Sequence, residues 1–471
     1  MKAKKDKTLW QCSKCEFVSP KWAGQCANCG GWNCLAEKIE SPQTSRAAPA
    51  GNAKQTLKAA EFVTLENVRI PSGLAESDRV LGGGFFPDSI CLLAGAPGVG
   101  KSTLALQWCQ HICESGKKVL IASGEESCQQ IFGRAERIFP GKVSGNLEVL
   151  NEFSIEDLLA TCQSVKPDFL VVDSVQTFAS GESTSQSGSR NQISLVCESL
   201  MHFAKTRKIP VLLIGHVTKA GEMAGPQLLA HLVDCVLLLE GDEARQFRIL
   251  RSSKNRFGSA SEVGIFQMQE CGLQQVLNPS EAFLDGRLAG ATGSCIFPAV
   301  EGERAFLVEL QALCATTRFG LPKRVAGGIA PNRLALILAV LQNHARLNFE
   351  NVDAFANVVG GFQIQEPAAD LALALALASA KQKKPVPGDV FAFGEIGLSG
   401  EIRAVGKVEK RIQEAEKLGF SKCLGPKLKH PPKNTKVKFV PVRTVAEAVR
   451  ELSGEKKMGS GNNLFLSTKK D

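Results

Sequence analysis

Nine consecutive residues near position 100 have the types and spacing for nucleotide chemistry. Gly95-Ala96-Pro97-Gly98-Val99-Gly100-Lys101-Ser102-Thr103 satisfies G-x4-G-K-S/T. The glycines let backbone N–H groups wrap the β- and γ-phosphates, and a helix N-terminus adds its dipole. Lys101 would pair with phosphate oxygens, and the Ser102 hydroxyl would ligate Mg²⁺. This chemistry needs a strand before the loop and a helix after it. The apolar run Ile90–Ala94 and the segment Thr103–Cys113 meet that need. The reading is ATP or GTP binding.

Further polar groups fall at expected strand ends. Phe169–Val172 is an apolar strand ending in Asp173, which would hold Mg²⁺ through water. A helix-capping aspartate is the alternative. Gly124-Glu125-Glu126-Ser127 follows the strand Lys118–Ala122, where Glu125 could polarise an attacking water. His216 follows the strand Val211–Ile214 and could sense the γ-phosphate, or be structural. Lys254-Asn255-Arg256-Phe257-Gly258 follows the strand Gln246–Leu250. By composition it is a solvated basic turn. Its two cations could instead grip a neighbour's nucleotide or a nucleic-acid backbone.

A second kind of chemistry sits at the start of the chain. Cys12-x2-Cys15-x10-Cys26-x2-Cys29 places four soft thiolates where a tetrahedral Zn²⁺ can hold them. A fragment this small has no core of its own, so the metal would supply its folding energy. A redox CxxC or four unrelated cysteines are the alternatives. Cys34 lies outside the spacing and is read as a bystander.

The elements that must position these groups alternate along the chain. Short apolar runs, the last of them Val233–Leu239, alternate with helical stretches from Ile90 to about Phe266. That pattern predicts an α/β domain with a mainly parallel sheet and helices on both faces. Within it, residues 179–189 read as a long polar loop, expected to be mobile. Residues near 270–290 connect to a second alternating region, from about Gly293 to Val449. There Leu371–Ala378 reads LALALALA, with the period of a strand. Leucine and alanine are strong helix formers and no turn signal interrupts them, so a buried helix is predicted. Residues 41–60, rich in Ser, Pro, Ala and Gly, read as a linker.

Composition bounds the rest. The 471 residues include 44% hydrophobics and 22% charged residues, which excludes a disordered chain. The longest apolar runs, Leu334–Leu341 and Leu371–Ala378, are far short of the ~20 residues of a membrane span. Met1–Trp10 has no apolar stretch behind its lysines, so no secretory signal is expected. The cysteines outside the first 34 residues sit in apolar segments and read as small buried hydrophobes, in a reducing compartment without disulfides. Net charge is +9, and it is uneven. Residues 1–60 carry 10 Lys/Arg against 4 Asp/Glu, and residues 401–471 carry 17 against 8. A basic head and tail suit a polyanion partner, most simply nucleic acid; ordinary solubilising lysines are the alternative.

Taken together, CxxC…CxxC, GAPGVGKST, SGEES, LVVDS, IGHVTKAGEMAGP and KNRFG resemble the bacterial RadA/Sms family of DNA-repair ATPases, over the whole chain. The resemblance implies a RecA-like P-loop ATPase core and a homohexameric ring. It implies binding to single-stranded and branched DNA, and branch migration alongside the strand-exchange recombinase. It assigns Lys101, Glu125, Asp173 and Arg256 to catalysis, and Gly95 to Thr103 with His216 to the nucleotide. Lys254 to Gly258 would couple ATP to DNA, and Val217–Leu228 would be a DNA-facing loop. A cytoplasmic, nucleoid-associated protein is expected, with no membrane partner.

The region 293–452 resembles the Lon protease domain. That family uses a Ser–Lys dyad. Here Ala368 stands at the serine position and Glu409 at the lysine position, with Lys407 and Lys410 close by. Without a hydroxyl nucleophile a covalent route is lacking, and the domain reads as a scaffold. The stretch Gly328–Arg333 departs somewhat from the family form. The expected organisation is a C4 zinc ribbon at 1–40, a linker at 41–60, and the ATPase domain at 61–285. A Lon-protease-like domain at 290–455 and a tail at 456–471, expected to be disordered, complete it. Two competing functions stay open: an ATP-dependent Lon-like protease, which Ala368 disfavours, and a slow ATP-gated DNA-binding switch.

Overall fold

The computed structural model describes residues 7–12, 18–19, 21–32, 34–40, 69–216, 226–241, 247–288, 290–318, 320–430 and 432–453. It divides into two units, Met1–Thr64 and Leu65–Asp471. The predicted linker and the tail from 454 onward lie outside the described residues.

The first unit is built on an antiparallel sheet of β1 (Lys7–Cys12), β2 (Val18–Ser19) and β3 (Leu35–Glu40), in the order β2-β1-β3. Its apolar cluster, among the described residues, is Cys26 and Cys34 with Trp10 packed against them.

The second unit contains two sheets. In the first, α1 (Ala75–Leu81) leads to β4 (Ile90–Gly95), α2 (Lys101–Glu114), β5 (Val119–Ser123), α3 (Cys128–Ile138) and β6 (Leu147–Asn151). Then come α4 (Ile155–Val165), β7 (Phe169–Asp173), α5 (Arg190–Arg207), β8 (Val211–His216), α6 (Pro226–Leu232) and β9 (Cys235–Glu240). β4 to β9 are parallel, and an antiparallel extension of β10 (Phe247–Asn255), β11 (Val263–Gln269) and β12 (Gly272–Gln275) completes the order β12-β11-β10-β9-β4-β8-β7-β5-β6. β4, β5 and β7 are buried at every residue, as strands covered by helices on both faces must be. Their continuous apolar runs made them legible.

Three details differ from the sequence reading. β10 does not stop at Leu250 but runs through Lys254 and Asn255, with a bulge between Ser252 and Lys254. Its inward positions include Arg248 and Ser252, so polar residues hid the alternation. The supposed connector near 270 contains β12, hairpinned onto β11, followed by α7 (Pro279–Leu284). The polar loop 179–189 is tied down by the buried Gln192. Its amide Nε2 donates to the carbonyls of Ser180, Ser183 and Ser185, and its Oε1 accepts from the Ser180 N–H.

The second sheet takes β13 (Ser294–Glu301), β14 (Arg304–Thr316), β15 (Arg324–Gly327), β16 (Val352–Val358), β17 (Val390–Ala392), β20 (Lys422–Pro426) and β21 (Lys438–Val442) in the order β15-β16-β14-β13-β17-β20-β21. The pair β18 (Glu395–Ile396) and β19 (Ile402–Arg403) stands apart. Helices α8 (Pro331–Ala345), α9 (Asp370–Gln382), α10 (Val408–Lys417) and α11 (Val445–Ser453) pack around it. LALALALA is α9, as predicted, and every residue from Asp370 to Ser379 is buried. A helix apolar all round belongs inside a core.

The two sheets share a polar joint. Glu76 of α1 is fully buried, accepts the Ile265 N–H at 2.9 Å, and pairs with Arg304 of β14.

Candidate active site

The loop between β4 and α2 is shaped by glycine where side chains cannot fit. A Cβ on Gly95 would lie 2.5 Å from the Leu239 carbonyl oxygen of the adjacent β9. Gly100 has φ +110° and would meet Met268 at 2.7 Å. Both positions forbid larger residues, so the backbone can curl with its N–H groups inward.

Lys101 is 5% exposed, and its Nζ donates to the carbonyls of Gly95 and Ala96, each at 3.0 Å. Burial pushes its ammonium below the ordinary lysine range, while Asp173 and Glu125 pull it back up. The Ser102 hydroxyl donates to Asp173 Oδ2 at 2.8 Å. Two hard oxygen donors thus meet at the start of α2, the type Mg²⁺ takes.

Strand ends bring the acidic groups here. β5 and β7 pair in register, Ser123 opposite Asp173. The buried Ser123 hydroxyl accepts from the N–H groups of Glu125 (3.3 Å) and Glu126 (3.0 Å), folding the SGEES turn. Ser127 then caps α3 in a reciprocal box with Gln130. Ser174, next to Asp173, donates its hydroxyl to Glu125 Oε1. Glu125 is therefore tethered to the residue after Asp173. Its neighbour Glu126 pairs with Arg134 of α3, and both line a small cavity with Ser102 and Asp173. The backbone of His216 pairs with Gly95; its side chain lies outside the described residues.

Arg248 was missed by sequence reasoning, because it belongs to no motif. It is 3% exposed, and its Nε donates to the carbonyl of Val99 in the phosphate loop at 3.2 Å. In a trans peptide the C=O and the next N–H point opposite ways. Holding the Val99 carbonyl outward therefore aims the Gly100 N–H toward the phosphate cradle.

The KNRFG residues are not gathered at this loop. In register, Gly95 faces Leu239 on β9, whereas Asn255 faces Cys235 at the other end. The motif therefore lies at the opposite edge of the sheet, four residues along β9 or roughly 13 Å away at ~3.3 Å per residue. Nor is it an open turn. Lys254 Nζ donates to the carbonyls of Ala230 and Val233, each at 2.7 Å, and of His231 at 3.3 Å, closing the C-terminal end of α6. Asn255 Nδ2 donates to the last carbonyls of α1, Val80 and Leu81. Phe257 stacks on Phe86, centroids 4.5 Å apart and planes 9° apart. Gly258 packs close to Gly82. Arg256 pairs with Asp234 at 2.9 Å but keeps 54% of its side chain exposed. Of the predicted DNA-facing loop, residues 217–225 lie outside the described residues, and its end through Leu228 is the first turn of α6.

In the amino-terminal unit, ligand atoms of Cys26, Cys29 and Cys34 lie within 4.8 Å of one another. Cys34, read as a bystander, is thus part of the thiol cluster. It directly precedes β3, whose first residue, Leu35, pairs with Cys12. Cys15 and the side chain of Cys12 lie outside the described residues. Converging thiols are the donor set of a zinc site.

In the second sheet's lobe, Ala368 is 3% exposed in a short 3-10 turn, Pro367–Ala369, before α9. Beside it Glu366 pairs with the buried Arg411, which also lies over the rings of Phe297 and Phe393. An ion pair stands next to the position where a nucleophile would be needed. Among the described residues no helix is long and apolar enough to cross a membrane.

Comparison with known proteins agrees with this geometry. Residues 57–222 match the family described as AAA domain, and residues 337–429 the family described as subunit ChlI of Mg-chelatase. The chain is 44% identical over 458 residues to the DNA repair protein RadA of Bacillus subtilis, covering 96% of this chain and 99% of that protein. It is 44% identical to DNA repair protein RadA of Listeria monocytogenes, over 94% of this chain and 98% of the relative. The figures for the Streptococcus pyogenes protein of the same name are 43%, 90% and 93%. Among solved structures, one ATPase domain is similar at TM-score 0.40 and 16% identity, covering 45% of this chain and 93% of that one. With 42–44% identity to its relatives along almost its whole length, and a phosphate loop backed by Ser102, Asp173 and Glu125, the chain belongs to the RadA family of DNA repair proteins.

Proposed function

We propose that this ATPase is DNA-stimulated and processes recombination intermediates, binding single-stranded and branched DNA and promoting branch migration alongside a strand-exchange recombinase. The observation that carries the reading is the pairing of two features in one sheet. Lys101, Ser102, Asp173 and Glu125 converge at one edge. At the other edge Lys254 closes the helix that follows the expected DNA-facing segment.

In this reading Lys101 binds the phosphates. Ser102 and Asp173 would hold Mg²⁺. Glu125, oriented by Ser174, takes the proton of the attacking water. When bound, the ion neutralises charge building on the phosphoryl group. His216 reports the state of the γ-phosphate. Arg256 lies too far from its own phosphate loop to serve it. In a homohexameric ring its exposed guanidinium would reach a neighbour's nucleotide. The amino-terminal cysteines would hold Zn²⁺ as a structural ion, and the proposed domain limits lie near 40, 60, 285 and 455. A cytoplasmic, nucleoid-associated location follows from the proposed substrate.

ATPase rates with and without single-stranded and forked DNA, measured together with the oligomer mass, test the reading. Stimulation by DNA in a hexamer is expected; a rate indifferent to both DNAs in a monomer refutes it. The protease alternative is opposed by the apolar side chain of the buried Ala368.

A further inference from the structure

The chain has four tryptophans. Trp108, on the phosphate-loop helix α2, is fully buried, and Trp10 packs on Cys26 and Cys34. Trp22 and Trp32 behave differently: they are 56% and 71% exposed. Leaving two indoles in water forgoes about 1.5–3 kcal/mol of burial for each large apolar side chain.

The two rings share one floor. A Cβ on Gly24 would lie 3.9 Å from Trp22 Cη2 and 3.9 Å from Trp32 Cζ3, so glycine leaves both rings uncovered. They are held from behind. Trp32 pairs with Gln25 in an isolated bridge, and the Gln25 amide donates to the Gly30 carbonyl at 3.0 Å. Trp22 meets the edge of Trp10, centroids 6.5 Å apart. Cys26 and Gly30 close the turn between them through backbone hydrogen bonds.

The surroundings select the occupant. Among the described side chains of this unit, Trp22 and Trp32 are the exposed large hydrophobics. Lys21 is exposed next to Trp22, and residues 1–60 carry 10 basic against 4 acidic side chains. Rigid aromatic faces within a basic segment suit bases that stack and phosphates that pair.

We propose that Trp22 and Trp32 form a stacking platform for the bases of single-stranded nucleic acid. This rests on the DNA-binding reading above and places part of that binding in the amino-terminal unit. The test titrates the full chain with an oligothymidylate while following tryptophan fluorescence. The anisotropy of a labelled oligothymidylate measures affinity in parallel. Quenching is expected, and Trp22→Ala, Trp32→Ala should weaken binding at least tenfold with zinc content unchanged. Should the alanine variant lose zinc, Trp22→Phe, Trp32→Phe supplies the second readout. It should keep most of the affinity and lose most of the quenching, whereas Trp10→Phe should keep both. Wild-type affinity in the folded alanine variant, or full quenching in the phenylalanine variant, overturns the platform and leaves the rings to a protein partner. If the wild-type chain shows no anisotropy change with any DNA, it is the DNA-binding reading itself that fails.

Discussion

Arg248→Met asks whether a residue outside every motif sets the phosphate loop. Methionine keeps the aliphatic stem that packs inside β10 and removes the guanidinium. The hydrogen bond from Nε to the Val99 carbonyl is 3.2 Å long, and the side chain is 3% exposed, so no bulk water replaces it. A hydrogen bond to a charged group contributes about 1.5–3 kcal/mol. If the bond acts by aiming the Gly100 N–H, that energy appears in nucleotide binding, and ATP affinity falls roughly 10- to 100-fold. The assay is steady-state ATP hydrolysis with thermal melting on the same samples. KM should rise by that factor with kcat far less affected, and Arg248→Lys, which keeps the charge and one donor, should recover part of the loss. A purely structural role would lower Tm and leave KM alone. Wild-type KM in a folded Arg248→Met protein refutes the assignment.

Lys254→Met removes the cation from the end of α6. Basal hydrolysis and ATP binding should persist while the DNA-stimulated increment is lost, and a wild-type DNA-stimulated rate would contradict the clamp. Glu303 lies between Lys407 and Lys410, whose hydrogen bonds hold its carboxyl down at about 2. Because the folded value is the lower one, this contact stabilises above the unfolded carboxylate range and is lost as pH falls from about 4.5 to about 2. Carboxyl NMR should find the midpoint near 2, and Lys407→Ala, Lys410→Ala should return it to the ordinary range; an ordinary midpoint in the wild type would count against the pairing. Purified protein should carry one zinc per chain, and Cys26→Ser should lower that content and loosen the ribbon while the ATPase persists. Metal analysis finding no zinc in fresh wild-type protein would sink this.

What the sequence determined by itself was local chemistry. The phosphate loop spans nine adjacent residues with fixed backbone demands, so its glycines, Lys101 and Ser102 could be read from their order. The strands reaching Asp173 and the SGEES turn were legible because a strand buried on both faces must be apolar throughout. The α9 helix was legible from propensity against a misleading period.

Tertiary structure alone decided contacts between residues far apart in the chain. Arg248 reaches Val99 across 149 positions, and Arg304 reaches Glu76 across 228. No local pattern encodes such pairs, because the chain meets itself only when the strands stack. The same holds for Cys34, which its spacing excluded and the ribbon's fold returned to the thiol cluster. KNRFG shows the division within one motif. Its cations could be read as phosphate-binding from type alone, but which edge of the sheet they occupy was fixed by the antiparallel run of β10. That run carries Lys254 away from its own nucleotide and onto the end of α6.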